Sequence, residues 1–150
     1  MKGQVSTELL VIVALVLLIF IPLLVLVYFK ANEANQQIAA YQAELSVSRI
    51  ASLANSVGSL GTNTSVTTDI YVPPNTLAMN VTSVGRAGEI SLTMDSPQGP
   101  TTPIVEIIIR YPLSNPGTLA DSSSAGGWMR LRISSEFVNN EASIKIEKVS

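Results

Sequence analysis

Three patterns of apolar and polar positions follow one another along the chain. From Leu9 to Phe29 the sequence carries no charged residue and reads as one unbroken apolar run. At roughly 21 residues, that run is long enough to cross a bilayer as a helix. Pro22 lies inside it, where it removes a backbone hydrogen bond and crowds the preceding turn. A kink is the simplest expectation there, since membrane helices tolerate proline, and local stretching of the helix is the alternative.

The second pattern, from Lys30 to about Val57, has neither Pro nor Gly and is rich in Ala, Gln, Glu and Leu, which predicts that the helix continues. Ile38, Tyr41 and Leu45, then Val47, Ile50, Ala54 and Val57 with Leu53 alongside, recur at spacings of three and four. They are expected to form one stripe that packs on the C-terminal domain or on a neighbouring helix. The other face carries Asn35, Gln36, Gln42, Glu44, Ser48 and Ser52. At 1.5 Å per residue, a helix from Gln4 to Val57 would be on the order of 80 Å long.

Gly58 to Thr64 ends the helix, with Gly58 as the expected left-handed cap. From there the period changes to two. Val66–Val72 places Thr68, Ile70 and Val72 on one face and stops at Pro73 and Pro74. Leu77, Met79 and Val81 alternate with polar positions, and Ile90, Leu92 and Met94 do the same beyond Gly85–Gly88, which predicts a hairpin. Ile104–Tyr111 is the most β-prone run, and Ile104 and Ile108 opposite Val105, Ile107 and Ile109 predict a central strand covered on both faces. Pro112–Gly127 reads as a long mobile or functional loop. Two closing strands, Trp128–Ser134 and Ala142–Lys148, are expected to join around Glu136–Glu141. The fold class is therefore α+β: a long N-terminal helix followed by a small antiparallel, sandwich-like β domain of about six strands. The divisions expected are 1–3, 4–59 and 60–150.

Composition narrows the chemistry. The chain of 150 residues has no cysteine and no histidine. Disulfides, Cys-based or His-ligated metal sites, and Ser-His-Asp or Cys-His catalysis are all excluded. The net charge of −2 comes without a basic stripe, so no nucleic acid is expected as a partner. Charged residues make up only 13%, while Ser, Thr and Asn are abundant, which suits a surface that is glycosylated or packed against copies of itself. No cofactor, metal or enzymatic activity is expected.

Glu8 is the one charged side chain between Lys2 and Lys30, and it stands at the mouth of the apolar run. A secretory signal has a shorter apolar region followed by a small-residue cleavage site, and Ala31-Asn32-Glu33-Ala34 is not one. An acidic residue in the first turn of any helix is favoured by the macrodipole, by about 0.3–1 kcal/mol. Paired with an ammonium in a low-dielectric bundle, the same carboxylate would set axial register, because an uncompensated charge there costs several kcal/mol.

The stretch Lys2-Gly3-Gln4-Val5-Ser6-Thr7-Glu8, with the aliphatic run behind it, resembles the class III signal peptide of archaeal type IV pilins. The resemblance implies cleavage between Gly3 and Gln4 by a membrane-embedded prepilin peptidase. Lys2, Gln4, Ser6 and Glu8 would then be the processing and assembly motif. It further implies storage in the cytoplasmic membrane, extraction by an assembly ATPase and a membrane platform protein, and a helical homopolymer on the cell surface. Adhesion to surfaces or other cells would follow from the β domain. Two other readings stand beside it: a single-pass anchored extracellular binding module, and an archaellum-type filament subunit.

Asn63-Thr64-Ser65 and Asn80-Val81-Thr82 match the N-glycosylation acceptor pattern. Asp69, Asp95 and Asp121 are read as solvated groups. Glu89, Glu106, Glu136 and Glu141 show no spacing that points to a metal or glycosidase site. Arg110, Arg130 and Arg132 are expected on outward faces. Trp128, the sole tryptophan, follows Gly126-Gly127 and is expected as a core or interface plug, with an exposed adhesive role as the alternative.

Overall fold

Residue spacing accounts for the first element. A computed structural model describes residues 2–95, 105–138 and 140–149, and in it a single helix, α1, spans Lys2–Leu60 without interruption at Pro22. The chain divides into two units, Met1–Ile38 and Ala39–Ser150. The sequence boundary near residue 60 marks the change of secondary structure, whereas the packing unit of the β domain takes in the end of α1 as well.

In the first unit, every side chain described between Ser6 and Ile38 is exposed. The apolar run buries none of itself against its own chain and is long and apolar enough to cross a membrane. Because α1 already begins at Lys2, Glu8 lies beyond its first turn. The macrodipole falls off within that turn, so the expected helix-end stabilisation of Glu8 does not apply here.

In the second unit, α1 buries Ala39, Ala43, Val47, Ile50, Ala54 and Val57. Tyr41 and Leu45, expected in the same stripe, are 70% and 71% exposed, and Ile38 is exposed as well. The three- and four-residue spacings describe two stripes on opposite sides of one helix. Alanines interleaved with Val47, Ile50 and Val57 line the buried stripe and let the helix come close to a sheet, while Tyr41 and Leu45 face away.

The cap also differs. Gly58 lies inside the helix, and Gly61, at φ 99°, is the left-handed residue after its end. Gly58 is required for another reason. Tyr111 lies against the helix backbone there, and a methyl group at position 58 would overlap its ring.

Seven strands follow among the described residues: β1 (Ser65–Tyr71), β2 (Thr76–Val84), β3 (Ala87–Met94), β4 (Val105–Ile109), β5 (Gly117–Asp121), β6 (Trp128–Val138) and β7 (Glu141–Lys148). They form two antiparallel sheets, ordered β1-β6-β7 and β4-β3-β2-β5. Alternation places Ile70, Met129, Leu131, Ile133, Ile144 and Ile146 of the first sheet in one cluster with Met79, Val81, Ile90, Leu92 and Ile109 of the second. The buried stripe of α1 joins the same cluster, so one core is shared by both sheets and the helix. Two polar contacts fix the helix to the domain. The Ser46 hydroxyl donates to the Tyr71 carbonyl at 2.7 Å, and the Arg110 N–H donates to Asn55 Oδ1 at 2.9 Å.

The β2–β3 hairpin turns at Gly85–Arg86, with Gly85 at φ 63° and Val84 opposite Ala87. In β2 the register shifts between Thr76 and Ala78, which leaves Thr76 buried and Leu77 only half-buried.

Three expectations are corrected. Val105–Ile109 is an edge strand rather than a central one, and Ile108 is 69% exposed; Ile104 lies outside the described residues. An apolar run covered on one face only cannot be told from a doubly covered one by composition. The Pro112–Gly127 segment contains β5, which pairs with β2, and a 3-10 turn at Ser122–Ser124 capped by Asp121. Leu119 and Ala120 supply the buried side of that strand. Finally, β6 and β7 extend to Val138 and Glu141, so the connection is a tight turn through Asn140 at φ 66°, with Glu136 inside a strand. The loop expected over Asp95–Pro103 falls almost wholly outside the described residues.

Candidate functional site

The N-terminal motif is helical from Lys2 onward, and Ser6 and Glu8 are exposed. Gln4 and Glu8 are four positions apart along the backbone of the same helix. Gly3 is the residue of this turn with the weakest helix preference, about 1 kcal/mol below Ala. Local unwinding of this turn therefore costs least at Gly3.

The two acceptor asparagines have different settings. Asn63 is exposed in the turn after α1 at φ 63°, and its N–H donates to the Ser135 carbonyl. Asn80 is half-buried in β2, which is paired on both sides, and its side chain accepts from the Thr118 hydroxyl at 2.9 Å.

The outer face of the three-stranded sheet brings aromatic and charged side chains together. Antiparallel pairing sets Tyr71 opposite Trp128 and Asp69 opposite Arg130. Trp128 is 73% exposed, so it is no core plug; its ring meets Tyr71 edge-on, with centroids 5.5 Å apart. Arg130 holds Asp69 with two hydrogen bonds, Nε to Oδ1 at 2.9 Å and Nη2 to Oδ2 at 3.4 Å. That guanidinium keeps the Asp69 carboxyl below the usual carboxylate range. Trp128, Asp69, Arg130 and Lys148 line an open groove of about 600 Å³.

On the four-stranded sheet, the β3–β4 register sets Ser91 opposite Glu106 and brings Glu106 near Glu89. Partial burial, and then the charge and hydrogen bond of Glu106, push the Glu89 carboxyl above its ordinary range. Asp95 and Asp121 are exposed, as are Arg110 and Arg132. Arg86 and Glu141, at the tips of the two hairpins, pair at 2.7 Å. Among the described residues no three acidic side chains gather where they could hold a metal ion.

Sequence reasoning missed Tyr71 and the partnership of Asp69 with Arg130. Alternation along β6 does place Trp128 and Arg130 on one face, but only strand pairing selects their neighbours. No family model, curated protein or solved structure matches the chain.

Proposed function

We propose that this chain is a structural subunit of a surface filament of the type IV pilin kind, cut between Gly3 and Gln4 and polymerised through α1. The observation that carries the reading is the apolar run behind Glu8, which its own chain leaves uncovered. Each large apolar side chain is worth about 1.5–3 kcal/mol when removed from water. The run as a whole must therefore lie in lipid before assembly or among sister helices after it.

Two features support polymerisation over simple anchoring. Glu8 stands where a lone carboxylate needs a cation once lipid is left behind, and the ammonium of a processed Gln4, its own or a neighbour's, supplies one. Tyr41 and Leu45 add exposed apolar side chains in the second unit, on the helix side opposite its buried stripe. A membrane anchor has no use for such a surface, whereas a bundle of helices does. A prepilin peptidase, an assembly ATPase and a membrane platform protein are the partners this reading requires.

The test uses Glu8→Gln in cells that make the filament. Membrane insertion and the mature N-terminus at Gln4, read by mass spectrometry, are expected to persist while filaments seen by electron microscopy are lost. A chain that retains Met1, or filaments that form normally without this protein, would refute the proposal.

A further inference from the structure

We propose that the outer face of the β1-β6-β7 sheet binds saccharide, with Trp128 as the stacking platform and the Asp69–Arg130 pair as the hydrogen-bonding edge. Trp128 keeps nearly three-quarters of its surface open while Tyr71 packs against it at 60°, so the ring is held in place with most of its surface still available. A pyranose presents a face of C–H groups that covers such a ring and a rim of hydroxyls that must keep their hydrogen bonds. The rim is provided for one step along the same strand pair, because residues two apart on a strand share a face at about 6.6–6.8 Å, close to the width of a sugar ring.

Asp69 and Arg130 meet that rim with complementary groups. The carboxylate accepts from hydroxyls, and the guanidinium has N–H groups beyond the two committed to Asp69. Their pairing fixes both side chains before a ligand arrives, which lowers the cost of ordering them on binding. Because the pair is mutually neutral, Lys148 is the remaining cation lining the groove. One ammonium is too little to hold a polyphosphate backbone, while it accommodates either a neutral sugar or a uronate. The inference does not depend on the filament reading, since a monomeric anchored chain would carry the same face.

Trp128 is the sole tryptophan, so emission from the full-length protein in detergent micelles reports on this site alone. Maltotriose, chitotriose and trigalacturonate are the probes. At least one is expected to give a saturable blue shift and to protect Trp128 from iodide quenching at millimolar concentration. Arg130→Gln combined with Asp69→Asn is expected to weaken that binding about tenfold or more, as loss of hydrogen bonds from charged groups does. Trp128→Ala, at an exposed position, should leave the fold intact and abolish saturation transfer to the sugar in NMR. No change of emission or quenching with any of the three probes overturns the proposal, as does sugar binding that survives Trp128→Ala. Protection that appears with rising protein concentration, and that sugar does not compete away, would also overturn it by making the face a contact between copies.

Discussion

Gly58→Ala sets two physical effects against each other. In a helix interior, replacing Gly by Ala stabilises by about 0.8–1.0 kcal/mol through propensity alone. Here the added methyl would overlap Cδ2 and Cε2 of Tyr111 and lie 2.9 Å from its Cγ. Overpacking of this kind costs about 1–3 kcal/mol, and contact with three atoms of a rigid ring places it near the upper figure. The net effect expected is a loss of about 2 kcal/mol. Urea unfolding of the detergent-solubilised protein, followed by far-ultraviolet circular dichroism, should show a lower midpoint with an unchanged slope. In a Tyr111→Ala background the clash is gone, and Gly58→Ala should then stabilise the protein by about 1 kcal/mol. The coupling between the two positions would be about 3 kcal/mol. Should Gly58→Ala raise the midpoint with Tyr111 in place, the packing of that ring against the helix backbone is refuted.

Asn115 acts as a substitute strand for β7: its Nδ2 donates to the Ile146 carbonyl at 2.7 Å and its Oδ1 accepts from the Ile146 N–H at 3.0 Å. Asn115→Ala should therefore cost about 1–3 kcal/mol in the same unfolding assay. Glu89 holds its proton to higher pH in the folded chain than in the unfolded one, so stability falls as pH rises from the ordinary carboxylate range through the raised one. Glu106→Gln removes part of that elevation; its unfolding midpoint should exceed that of the native protein at neutral pH and converge with it in acid, where Glu89 is protonated. Under extracytoplasmic expression in a glycosylating host, Asn63→Gln should lower the mass by one glycan, because that residue stands in an exposed turn. Asn80→Gln should change the mass less, since Asn80 lies in a strand paired on both sides.

Local pattern determined a good deal of this protein. An uninterrupted apolar run followed by sequence without Gly or Pro can only be a long helix, and α1 covers both. Alternation of period two correctly places Thr68, Ile70 and Val72, then Ile90, Leu92 and Met94, then Met129, Leu131 and Ile133, on buried faces. Those features depend on neighbours a few residues apart, and such neighbours stand side by side in the sequence.

Tertiary structure decided the rest. Periodicity groups side chains onto a face without saying what that face meets, so Tyr41 and Leu45 fit the spacing of the buried stripe although they point away from it. Sheet order is non-local in the same way. Val105–Ile109 is an edge because, among the described strands, it pairs with β3 alone, and Gly117–Asp121 became a strand because β2 had an open edge to offer. The pairing of Trp128 with Tyr71, and of Arg130 with Asp69, spans more than half of the β domain's sequence. Such contacts are selected by the free energy of closing the whole core, and no short window of sequence contains it.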